Sequence, residues 1–290
     1  MIHTIHNNAI TVSVATKGAE LQSIINKNTG LEYMWSADPA FWSKKSPVLF
    51  PIVGGLLNNQ YTYGGHTYNL NRHGFAREAE FTVTHEQDDN ITFTLTDSDS
   101  TLHNYPFSFS FSVKYTLHQN AVHVSYIVKN KDGATMLFSV GGHPAFAVPV
   151  VPGSAFTDYY LQFSHTENAG RWPLSPGGQV LTEPAPLLND TNVLPLTKEL
   201  FYEDALVFKH LQSNAISILS NTNPHGLKVK FDGFPYMGIW NFKDADFVCI
   251  EPWCGIADSV TTTGNLEDKE GINSLAPGDT FERTWSVEVF

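Results

Sequence analysis

Cysteine is scarce in this chain of 290 residues. The two present, Cys249 and Cys254, have four residues between them, a spacing that fits neither a zinc site nor a disulfide scaffold, and the expectation is a pair of reduced thiols in a cytoplasmic protein. Cations are scarce as well: 17 Lys and Arg stand against 29 Asp and Glu, a formal charge of -12. No basic stripe of the kind a phosphate-backbone binder carries is present, which argues against nucleic acid and anionic membranes as partners and leaves a small molecule. The opening residues, Met1 to Asn8, lack the basic segment and apolar run of a signal peptide, and no later stretch is long and apolar enough to span a bilayer. With 42% hydrophobic and 16% charged residues the chain reads as globular, with core material for one large domain over residues 1–290. Nothing in the sequence fixes the oligomeric state.

Helical periodicity is nearly absent, and alternation takes its place. Phe107, Phe109, Phe111, Val113, Tyr115 and Leu117 share one face, with Ser108, Ser110, Ser112 and Lys114 on the other. After His118-Gln119-Asn120 the pattern resumes at Val122, Val124, Tyr126 and Val128, predicting an antiparallel hairpin. A second hairpin is expected from Phe81–His85 and Ile91–Leu95 around a polar turn. Further strands are predicted over Ile10–Val14, Tyr159–Phe163, Ala215–Leu219, Leu227–Phe231, Gly238–Phe242 and Phe247–Glu251, and a last one alternates from Phe281 to Val289. The Pro-rich, weakly patterned stretch from Leu181 to Leu200 reads as a surface excursion or pocket rim. The fold class is therefore all-β, a large antiparallel β-sandwich; a propeller would show a blade period, and no repeat is visible.

Several chemistries lack their signatures. There is no His-Glu-x-x-His pair, no phosphate loop between strand and helix, and no Gly-x-Ser-x-Gly elbow. What remains is two histidines and a carboxylate beside turn-forming residues. His73 lies in Arg72-His73-Gly74-Phe75-Ala76-Arg77, framed by two arginines; it is either a surface-loop histidine or a pocket one. His143 follows the diglycine Gly141-Gly142, which lets backbone approach a ligand, or it hydrogen-bonds its own turn. Glu251 closes an apolar strand before Pro252 and reads as a salt-bridged carboxylate or as a general base tuned by partial burial. Trp253, two residues on, is either core or a platform for a sugar ring. One base and two proton donors suit a reaction that takes a proton from one oxygen and gives one to another.

At these words the sequence resembles the aldose 1-epimerase (galactose mutarotase) family, in particular its LacX-like branch, which is related to the hexose-6-phosphate mutarotases. The similarity runs through Gly18-Ala19-Glu20-Leu21, Pro47 to Gly54, His73-Gly74-Phe75-Ala76-Arg77, Gly142-His143-Pro144, Asp204-Ala205-Leu206, Glu251-Pro252-Trp253 and Leu275-Ala276-Pro277-Gly278. The resemblance implies a supersandwich fold and interconversion of the α and β anomers of a hexose or hexose 6-phosphate, with no cofactor and no metal. It implies Glu251 as the base, His143 as the acid that protonates the ring oxygen, His73 as a second donor, and Asp204 as a hydrogen-bond partner of sugar hydroxyls; Asp204 also reads as a turn cap. A phosphate on the substrate would fall to Lys44, Lys45, Arg72 and Arg77, of which Arg77 belongs to the motif itself and Lys44 and Arg77 are the leading candidates. One departure stands out: the chain has Val53-Gly54-Gly55-Leu56 where the branch usually has Val-Gly-Arg-Leu, so Lys44, Lys45, Arg72 and Arg77 are left to supply positive potential. That gap motivates an alternative, a non-catalytic carbohydrate-binding protein on the same fold. A glycoside hydrolase or lyase would instead need a second catalytic carboxylate, for which Asp204 is the motif-linked candidate.

Overall fold

The alternating segments assemble, in a computed structural model that describes residues 1–290, into a nine-stranded antiparallel sheet. Its spatial order is Ala185–Pro195, Tyr159–Arg171, Ala215–Ser220, Leu227–Lys230, Thr280–Val289, Ala121–Asn130, Phe109–His118, Asn90–Thr96 and Thr82–Gln87. The central hairpin pairs His118 with Ala121 and Leu117 with Val122, so Gln119 and Asn120 make the turn, Gln119 with φ 54°. Phe109, Phe111, Val113, Tyr115 and Leu117 are all buried while their neighbours on the strand are half-exposed, as period two requires of a sheet with one wet face. The sole α-helix, Asp99–Asn104, is a single capped turn and a half before this hairpin.

The second sheet is smaller and shielded on both faces. Leu206–Lys209, Tyr236–Trp240, Phe247–Cys254, Val140–Gly142 and Val48–Leu49 lie side by side, and Ala145–Ala147 pairs with Phe247–Cys254 as well. Every residue of Phe247–Cys254 is buried, which explains why it reads as an apolar run with no alternation. Val248, Ile250 and Cys254 enter the main core, a cluster of 63 buried residues drawn from both sheets. The odd-numbered face does something else: Phe247 and Cys249 join one small apolar cluster, Trp253 joins another, and Glu251 lies between them.

Two expectations need correction. The strand holding Glu251 does not end there but continues to Cys254, with Pro252 opposite Met237. Leu181 to Leu200 is not mere excursion, since Ala185–Pro195 is the edge strand of the large sheet. An edge position tolerates its prolines, because one side of the strand has no ladder to break. Its irregular register against Tyr159–Arg171 accounts for the weak pattern.

Candidate active site

An interruption of the small sheet makes the site. Val140 and Gly141 pair with Cys254 and Trp253, and Ala145 pairs with Cys249. The same register carried through the gap sets His143 opposite Glu251. Pro144 and Pro252 border that position and have no N–H to give, so the ladder is thinned there, although the Ile250 N–H still donates to the Pro144 carbonyl at 3.3 Å. On its other side Glu251 pairs with Gly238. A Cβ on Gly238 would lie 2.4 Å from the Trp253 ring, and one on Gly141 would lie 2.7 Å from it. Both glycines are therefore needed for the indole to lie flat across its neighbours.

His143 Nε2 lies 3.4 Å from Glu251 Oε2, and the two residues are 8% and 2% exposed. The imidazole is fixed by aromatic walls, Trp42 at 5.0 Å and Trp240 edge-on at 5.4 Å between ring centroids. His73 comes from the loop opposite, its ring 5.6 Å from that of His143 and nearly perpendicular to it. The His73 backbone is left-handed, φ 69°, and Gly74 after it has φ 71°, with a Cβ position only 2.3 Å from the Phe50 carbonyl oxygen. That tight turn brings His73 Nδ1 to accept from the Gly54 N–H at 3.1 Å. An accepting Nδ1 carries no proton, so the proton of the neutral ring sits on Nε2, which is free to donate.

Burial dominates the electrostatics. It pushes the Glu251 carboxyl well above the ordinary range, reinforced by the Asp204 carboxylate; the Trp253 indole N–H, short of hydrogen-bond geometry, pulls the other way. Burial also lowers His143 to about 3; its own backbone carbonyl opposes this, and Arg77 and Arg72 add to it. His73 is held well below its usual value by burial, then by His143, Arg77 and Arg72. Glu251 is thus fully buried, not partly buried as expected, and its environment favours the uncharged acid.

Around these groups lies a cavity of about 520 Å³, a size typical of small-molecule sites. His73, His143, Glu251, Asp204, Arg77 and Trp253 all line it. Lys44 does not: its ammonium pairs with Glu78 at 2.5 Å, and Glu78 also holds Lys17. Lys45 likewise is turned to the Gln22 carbonyl. Sequence reasoning did not single out the walls Trp42 and Trp240, because tryptophan defaults to core and nothing in their local pattern marks a cleft. Asn241 was also passed over. It is 1% exposed, its amide donates to the Ala245 and Phe247 carbonyls, and its oxygen, buried at the cavity wall, has no partner. For a cation, the group on offer is His143, Cys249 and Glu251, one ligand atom of each within 4.8 Å of the others.

A buried ion pair braces the wall. Asp258 and Lys269 meet at 2.7 Å, 4% and 6% exposed, while Asp258 also accepts from the Leu57 N–H and its backbone joins Gly55 and Val180. Replacing Asp258 with Ala strands a buried ammonium, and urea unfolding is expected to show a loss of about 3–5 kcal/mol; an unchanged midpoint would deny the pair this role.

Comparison with known proteins agrees with this architecture. The family model described as Aldose 1-epimerase matches residues 1–274. The chain is 34% identical over 98% of its length to the chromosomal protein LacX of Lactococcus lactis, of which it covers 97%. A galactose mutarotase related enzyme from Lactobacillus acidophilus superimposes with a TM-score of 0.94 at 39% identity, covering 100% of this chain and 97% of that one. A galactose mutarotase-like protein from Lactobacillus casei gives 0.92 at 31% identity over the whole of both chains. With a family model over most of its length and relatives this similar, the chain belongs to the aldose 1-epimerase family.

Proposed function

We propose that the protein is a cytoplasmic aldose 1-epimerase that interconverts the anomers of a hexose, free or as its 6-phosphate, with Glu251 taking a proton from the sugar and His143 giving one to it. The observation that carries this is the 3.4 Å approach of the two side chains within the cavity. Ring opening takes the proton from the C1 hydroxyl and gives one to the ring oxygen; the resulting aldehyde turns about C1–C2 and recloses. Glu251 accepts from the hydroxyl and His143 donates to the ring oxygen, and reclosure runs both transfers backward. Each group is therefore donor and acceptor once per turnover.

The proton inventory fits one condition. Before a sugar binds, desolvation makes separated charges costly, so the proton rests on Glu251 and His143 is neutral. A bound sugar stabilises the ionic form by donating its C1 hydroxyl to the carboxylate and offering its ring oxygen to the imidazolium. His73 Nε2–H adds a donor, and Asp204, whose Oδ1 already accepts from the Ala205 N–H at 2.7 Å, takes sugar hydroxyls. Trp253 and Trp42 offer apolar ring faces.

Polarimetry of freshly dissolved α-glucose, α-galactose and their 6-phosphates tests the reading. Purified protein is expected to speed the approach to the equilibrium rotation for at least one of them. Binding with no acceleration would instead identify a carbohydrate-binding protein, and release of reducing ends from a disaccharide would point to hydrolysis.

A further inference from the structure

Arg72, on the loop just before His73, lines the cavity without any partner of its own. Six of the chain's lysines and arginines are held in ion pairs: Lys17 and Lys44 with Glu78, Arg171 with Glu203, Lys198 with Asp246, Lys209 with Glu270, and Lys269 with Asp258; His143, when protonated, also stands in one beside Glu251. Arg72 and Arg77 belong to none of these pairs, and the Arg77 Nε is buried with no acceptor. The path of Arg72 is also specific. A Cβ on Gly178 would fall 1.7 Å from its Nη2, so the guanidinium lies directly on the Gly178 backbone. A Cβ on Gly55 would meet nothing nearer than Arg72 Nε, at 3.8 Å. The side chain thus passes between two positions that have no side chain, tight against Gly178 and at ordinary contact distance from where a Cβ at 55 would lie. Arg72 is near enough to both histidines to help hold them neutral. Arg72 is exposed to solvent where it lines the cavity and no group of the chain occupies its fork, so its planar donors are free to meet an acceptor brought in by a ligand.

We propose that Arg72 is a substrate-binding residue that delivers to the cleft, from the loop before His73, the guanidinium that position 55 lacks, and that with Arg77 it holds an electron-rich oxygen of the sugar, a hydroxyl or a phosphoryl oxygen. The kinetic part of the test rests on the epimerase reading; the binding part does not.

Binding of glucose, galactose and their 6-phosphates is followed by tryptophan fluorescence and calorimetry, and anomer exchange by polarimetry, on the full chain. Arg72→Gln is expected to raise Kd and KM by roughly 10- to 100-fold, as loss of a charge-assisted hydrogen bond does, with kcat far less affected. The double variant Gly55→Arg/Arg72→Ser, which moves the guanidinium back across the gap, is expected to recover most of that loss. A larger loss for the 6-phosphates identifies the oxygen as phosphoryl; an equal loss identifies it as a hydroxyl. Unchanged Kd and KM in Arg72→Gln would overturn the assignment, and so would failure of the double variant to recover with its melting temperature intact. Wild-type protein that binds a sugar but leaves its anomers alone sinks the epimerase reading only, and Arg72 is then judged on Kd. Wild-type protein that neither binds nor converts any of the four sinks both.

Discussion

Glu251→Gln is expected to slow anomer exchange by about 10²–10⁴-fold, the usual worth of a positioned general acid–base group, while the fold survives or gains. The amide matches the carboxyl in shape and keeps the contacts of the strand. It cannot carry the proton. The stability effect has a definite sign because burial raises the native pKa of Glu251 above its unfolded value. Stability from such a group is complete below the ordinary value near 4.5 and is lost as pH rises toward the native one. Glutamine escapes that loss, so the variant should melt above wild type at alkaline pH, and the margin should vanish toward pH 4. Melting curves across pH, beside exchange rates, check both halves. Wild-type turnover in the variant would remove Glu251 from the chemistry.

His143→Gln is expected to cost a comparable factor in exchange, with the opposite pH signature. The native pKa of about 3 lies below the ordinary 6.5, so the unfolded chain takes up a proton that the native protein refuses. The native state therefore holds its full stability above 6.5 and loses it as pH falls through that window toward 3. Removing the imidazole removes that loss, and acid unfolding should shift to lower pH. His73 stays in place, its Nδ1 still accepting from Gly54, and accounts for residual exchange through its Nε2–H. An acid midpoint unchanged in His143→Gln would mean that the imidazole is already charged in the native cleft.

The two variants together separate catalysis from architecture. Both groups are buried where neither charge is welcome, between two apolar clusters of the small sheet. A site built for stability would place apolar residues there. The fold instead retains a carboxyl and an imidazole whose preferred state is neutral, and function is the reason the arrangement offers.

How much of this could be read from the chain depends on which face of a strand water touches. The hairpin from Phe109 to Asn130 was legible because one side is wet, so Ser110, Ser112 and Lys114 punctuate the aromatics. Phe247–Cys254 was legible only as an apolar run, since protein covers both its sides and Pro252 gave a false stop. Ala185–Pro195 was missed for a related reason: as an edge strand with register shifts, it keeps only scattered buried leucines, Leu188 and Leu194, as a signal. Within the site, the residue types pointed to proton transfer, but no spacing in the sequence shows that His143 stands across from Glu251. That follows from the register on either side of an interruption. Lys44 illustrates the converse error, in which nearness to a motif along the chain stood in for nearness in space; Glu78 claims it first. Arg72 occupies the wall that Lys44 was expected to share.

The most direct test is exchange NMR on a hexose at equilibrium, in which cross-peaks between the α and β anomeric protons report interconversion without product or partner enzyme. Strong cross-peaks are expected with the wild-type protein and none above the uncatalysed background with Glu251→Gln. Cross-peaks of equal strength from both proteins would rule out Glu251 as the base.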